Sequence, residues 1–166
     1  MEVIYSYMPA KVCTMFTFLI ICAIIAWIDI QKQTIYNEAV AALLVPAIAS
    51  FFVFPEVGVV SRLLGAASVS GIMLFICLIK PGAFGGGDIK LMVPIGLYLG
   101  LERTLTAGCL SVFIGAVWGI AVVLKSVWKE EAEAGKSKGA FGKSLHQMQI
   151  PLGPALCLGA VIAMLL

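Results

Sequence analysis

Residues 12–29 read VCTMFTFLIICAIIAWID, and no charged side chain interrupts them before Asp29. A helix needs about 17–25 such residues to cross about 30 Å of hydrocarbon, so this run is long enough to span a bilayer. An export signal would show a small-residue cleavage site after its apolar core. The chain continues instead with Asp29-Ile30-Gln31-Lys32. The segment therefore reads as a retained membrane helix beginning near residue 12.

Further apolar stretches lie at about 39–54, 57–79, 89–101, 104–127 and 150–166. The second carries Pro46 in its middle. The fourth would make only about 20 Å of helix at 1.5 Å per residue. A helix that short can begin below the membrane surface if neighbouring protein shelters its first turn. Together the stretches predict an all-α integral membrane protein, a bundle of about six transmembrane helices. Composition agrees. Apolar residues make up 61% of the 166-residue chain and charged residues 12%, against about 45–50% and about 25% in soluble domains.

Composition also excludes several function classes. A net charge of +2 with no dense basic patch does not suit nucleic-acid binding. Cys13, Cys22, Cys77, Cys109 and Cys157 stand singly within apolar runs, and His146 is the one histidine. Zinc sites need clustered ligands at short spacing, so no metal and no cofactor is expected.

Alternating six segments divides the cationic residues between two sides. Lys32, Lys80, Lys90, Lys125, Lys129, Lys136, Lys138 and Lys143 fall on one; Lys11, Arg62 and Arg103 fall on the other. The positive-inside rule makes the first side cytoplasmic, with both chain ends outside. Residues 129–149, KEEAEAGKSKGAFGKSLHQMQ, form the one long polar stretch and read as a cytoplasmic loop. No internal repeat or second soluble domain is visible, so residues 1–166 read as a single membrane domain.

The chain contains two aspartates, and both fall on that cytoplasmic side at segment ends. A carboxylate at a membrane boundary invites a functional reading. Asp88, ahead of Ile89-Lys90-Leu91-Met92, also suits a plain helix-capping role. Asp29 sits where the dipole of its own helix disfavours a negative charge. Brought together, two carboxylates resist double ionisation and hold one proton between them over a broad pH range. The ionised member can take a proton from water while the protonated one polarises a carbonyl, which suffices to hydrolyse a peptide bond. Residues 81–92, PGAFGGGDIKLM, place Gly85, Gly86 and Gly87 directly before Asp88. A flexible glycine loop there would let a substrate backbone approach closely.

These motifs resemble the type IV prepilin peptidases and the related archaeal preflagellin peptidases, GxGD aspartic proteases of the membrane. Gly85 to Leu91 (GGGDIKL) is similar to the family's GxGD signature. Asp29 with Ile35-Tyr36-Asn37 resembles its first catalytic aspartate and the Ile-Pro-Asn element after it, with Tyr36 in place of the proline. Ile150-Pro151-Leu152-Gly153-Pro154 resembles the start of its last helix. The resemblance implies Asp29 and Asp88 as catalytic residues. It implies Gly85, Gly86, Gly87, Lys90, Asn37, Pro151, Gly153 and Pro154 as substrate-binding or supporting ones. Pro154-Ala155-Leu156 also spells the PAL tripeptide of presenilin-like proteases, which would line the cleft; simple helix initiation by Pro154 is the alternative. No CxxC precedes the first helix, so the chain resembles the short, peptidase-only form without a methylase domain.

The implied activity is removal of a short basic leader from prepilin-like proteins at the cytoplasmic face of the cell (inner or plasma) membrane. The implied partners are those substrates and membrane lipid, with no nucleic acid. Three alternatives remain: a signal-peptide-peptidase-like GxGD protease, a small ion-coupled transporter subunit, and a structural protein of a secretion or pilus machine. A transporter would place its carboxylates near the bilayer midplane.

Overall fold

The computed structural model describes residues 2–133 and 152–166. Among the described residues the helices are α1 (Glu2–Lys32), α2 (Asn37–Val53), α3 (Val59–Ile79), α4 (Gly86–Leu99), α5 (Leu101–Glu133) and α6 (Gly153–Leu165). No strand occurs among the described residues. The all-α membrane reading holds. Three helices contain spans long and apolar enough to cross a membrane, Pro9–Lys32, Val59–Ile79 and Leu101–Val122, while α2 and α6 are shorter apolar helices.

Several boundaries differ from the sequence expectation. The first helix starts at Glu2 rather than near residue 12, because helical hydrogen bonding continues beyond the apolar run. The fifth continues to Glu133, into the polar stretch assigned to a loop at 129–149; the rest of that stretch lies outside the described residues. Gly86 and Gly87 belong to the first turn of α4 and are not part of a flexible loop. A single residue, Gly100, separates α4 from α5, with φ of +79°. That backbone region favours glycine.

Helical periodicity decides which faces are inside. On α1, Phe18, Cys22, Ile25 and Asp29 are buried, spaced four, three and four residues apart. Phe16, Ile20, Ile24 and Trp27 occupy the opposite, exposed face, as expected where lipid tails replace water around a helix. Asp29 thus continues the inward stripe of its helix by one turn. The 14-residue α4 is the centre of the bundle, with Leu91, Met92, Ile95, Tyr98 and Leu99 all buried and with α2, α3, α5 and α6 around it. Its shortness is tolerable because protein rather than lipid surrounds it.

Helices in lipid gain little from hydrophobic burial against one another, so close packing through small residues dominates. The crossing of α3 and α4 shows this. A methyl group at Gly96 would lie 2.5 Å from the Gly65 carbonyl group and the Ala66 nitrogen. The contact of α5 with α6 brings Gly159 against Ala107 and Ser111 in the same way.

Arg62 anchors the end of the bundle remote from the aspartates. It is completely buried. Its guanidinium donates to the carbonyls of Ser50 (3.0 Å) and Phe54 (2.9 Å) at the end of α2. It also donates to those of Leu97 (2.8 Å) and Tyr98 (3.3 Å) at the end of α4. Helix C-termini carry unsatisfied carbonyls and partial negative charge, and the planar five-donor fork satisfies two of them at once. Phe51 covers the cation, 4.8 Å from its ring centre. Arg62 is therefore a structural clamp and not a loop charge that reports orientation.

Candidate active site

The last turn of α1, the first turn of α4 and the start of α6 meet at one end of the bundle. Asp29 is 4% exposed and Asp88 8% exposed. The Asp29 charge is near enough to bear on the Asp88 carboxyl, and the Cys157 thiol neighbours both. The sequence placed the two aspartates on one side; the fold brings them into one neighbourhood, from elements 59 residues apart in sequence.

Asp29 is positioned by α6. Its Oδ2 accepts a hydrogen bond from the Gly153 N–H at 3.0 Å. Gly153 opens α6, so the carboxylate lies at the positive end of that helix. This explains how an acid can sit where its own helix dipole opposes it. Contact here requires glycine: a Cβ at position 153 would fall 2.5 Å from Oδ2 and 2.8 Å from Cγ of Asp29. Beyond Asp29, α1 stops through Gln33, whose φ is +50° and whose N–H bonds the Asp29 carbonyl at 2.8 Å. A left-handed residue is a common helix terminator.

Asp88 is the third residue of α4 after the Gly85 cap, not the cap itself. Its carboxylate turns back toward the Gly85 N–H, the arrangement of the acidic member of a capping box. A Cβ on Gly85 would stand 2.9 Å from Asp88 Oδ2. Gly87 has a different reason. A Cβ there would lie 2.8 Å from Cβ of Ile35, so the α1–α2 link packs directly on the first turn of α4. Around Gly86 there is open space.

The remaining expected residues divide. Lys90 Nζ donates to Asn37 Oδ1 at 3.2 Å, an exposed contact joining α4 to the start of α2. Pro154 is buried in the first turn of α6, a helix-starting position that proline suits. Pro151 lies outside the described residues. Sequence reasoning did not single out Cys22 and Cys157, which are buried and interact with one another below the carboxylates. Helical spacing could have found them: Cys22 is seven residues before Asp29, and Cys157 is four after Gly153. Among the described residues no group of His, Cys, Asp and Glu could hold a metal ion. The one ion pair there, Lys11 with Glu56, involves neither aspartate.

The molecule is thus a membrane helix bundle whose one end gathers two buried carboxylates under a glycine-rich helix start. Its sequence matches the model of the type IV leader peptidase family over residues 16–120, and the chain belongs to that family. It is also 31% identical over 148 residues to the prepilin leader peptidase/N-methyltransferase of Bacillus subtilis (strain 168), across 89% of this chain and 53% of that protein. The chain therefore spans about half the length of this curated relative. No solved structure matches it.

Proposed function

We propose that the chain is a membrane aspartic endopeptidase that removes the leader from prepilin-like proteins, cleaving at the cytoplasmic face. The observation that carries this reading is the gathering of Asp29 and Asp88, both buried, at one end of a bundle from the type IV leader peptidase family. A transporter would be better served by carboxylates at mid-bundle. Asp29 is instead three residues from the end of α1, and Asp88 lies in the first turn of α4.

In this mechanism the pair shares one proton. The ionised carboxylate takes a proton from a water molecule as the water oxygen bonds to the scissile carbonyl carbon. The protonated carboxyl donates to the carbonyl oxygen, giving a neutral tetrahedral diol. On collapse the carboxylate now ionised takes a hydroxyl proton from the diol as the carbonyl re-forms, and the C–N bond breaks as the other carboxyl protonates the departing amine. Because such a pair titrates as a unit, the roles belong to the pair rather than to either residue. The Gly153 N–H and the Gly85 cap fix the two carboxyl groups, so the geometry is set before substrate arrives.

The test is co-expression with a prepilin-like substrate, followed by substrate size on a gel. Asp29→Asn and Asp88→Asn should each abolish the shortened product at matched membrane levels. The double variant should be no worse than either, since residues acting as one unit are non-additive. Processing near the wild-type rate by either single variant refutes the two-aspartate mechanism.

A further inference from the structure

Between α3, α5 and α6 runs an apolar groove of about 610 Å³. Ile72 and Ile76 of α3 form one wall, Val112 and Ala116 of α5 the other. Its lining is almost wholly apolar: Ile72, Ile76, Val112 and Phe113 are exposed along its rim, and Met73, Ser111 and Leu156 are buried at its base. One end of the groove reaches the chain neighbours of the candidate active site. Phe84, which immediately precedes the Gly85–Asp88 run, and Leu152, which caps α6 beside Gly153, both line it. The α1–α2 link closes a different side of the α4 start, where Ile35 packs on Gly87.

We infer that this groove seats the apolar segment of the substrate contiguous with the scissile bond, delivering that bond to Asp29 and Asp88 from the α3–α5 side. The inference rests on the peptidase reading and adds the route of approach. A chain entering a membrane-embedded site must leave it through lipid or along protein. An apolar channel reaching both Phe84 and Leu152 offers a path on which its side chains stay out of water. The charged stretch at 129–149 of this chain is chemically unsuited to such a lining. Specificity then resides partly in an apolar segment several turns from the cleaved bond, as binding energy from remote contacts can be used at the reacting centre.

Ala116 and Ala23 are both exposed small residues, on the groove and on the outer face of α1 respectively. Ala116→Trp should fill the groove and raise KM for a membrane-inserted prepilin-like substrate by about tenfold with kcat little changed, while Ala23→Trp should not. A photo-crosslinking amino acid at Val112, in the full chain carrying Asp88→Asn, should form adducts with the substrate's apolar segment; one at Ile24 should not. Adducts at position 112 only with lipid, or only with a second copy of this chain, overturn the inference. So does an Ala116→Trp variant with unaltered KM. Failure of the wild type to shorten any substrate would instead count against the peptidase reading, and the crosslinking result would still decide what occupies the groove.

Discussion

Gly86, Gly87 and Gly153 have three different environments, and substitutions should separate them. Gly86→Ala should leave both folding and cleavage unchanged, because open space surrounds that position. In a helix the exchange even favours alanine by about 0.5–1 kcal/mol. Gly87→Val should abolish cleavage while the protein still inserts, since its Cβ collides with Ile35. Gly153→Ala should lower kcat by about 100-fold, because moving a catalytic group by about 1 Å costs that much; steady-state kinetics at matched membrane levels checks all three. If Gly153→Ala cleaved normally, the Asp29–Gly153 contact would have no part in positioning. Of these distinctions the sequence exposed only the run itself. GGGD resembles a flexible loop until Ile35 is seen against Gly87, and nothing local announces that contact, because it joins residues 52 positions apart.

At the level of helices, the outward and inward stripes of α1 are legible as a period near 3.6, and Asp29 falls on the inward one. The clamp of Arg62 is not. In the sequence it is one cation near the start of an apolar run, indistinguishable from a charge that marks topology. The physical content lies in the carbonyls that converge on it from α2 and α4, which no spacing rule connects. Arg62→Ala should therefore cost at least about 3 kcal/mol, as several buried acceptors lose their donor together. Arg62→Lys should recover only part of that, since an ammonium cannot present the planar fork. Thermal unfolding in detergent reads both, and equal stability of the alanine variant and wild type would mean that Arg62 clamps nothing. The α3–α4 crossing predicts similarly: Gly96→Leu should lower the unfolding temperature, because its side chain would occupy the place of the Gly65 backbone.

For the whole molecule, hydrophobic run lengths suffice to indicate the six helices of the described residues and an all-α membrane architecture, because the bilayer leaves a chain few alternatives to the helix. They place the helix ends less well, since the signal that starts α4 or ends α1 comes from neighbouring elements. Orientation is open to direct measurement. With the native cysteines replaced, Gly86→Cys should react with a membrane-impermeant maleimide only from the cytoplasmic side, and Glu56→Cys only from the opposite side. The reverse pattern would invert the assigned topology. The hydrogen bond from Gly153 to Asp29 spans 124 residues, tying the first helix to the last. During synthesis both aspartates enter the membrane well before that donor exists. A nascent chain stalled after α5 would hold the whole GxGD motif yet leave Asp29 without its Gly153 donor. On the proposed two-aspartate mechanism, proteolytic competence would then arrive late in translation, so an incompletely made copy would be not a half-active enzyme but a silent one. Such timing would spare neighbouring nascent membrane proteins from an unfinished peptidase, and α6 supplied as a separate polypeptide should awaken the truncated chain.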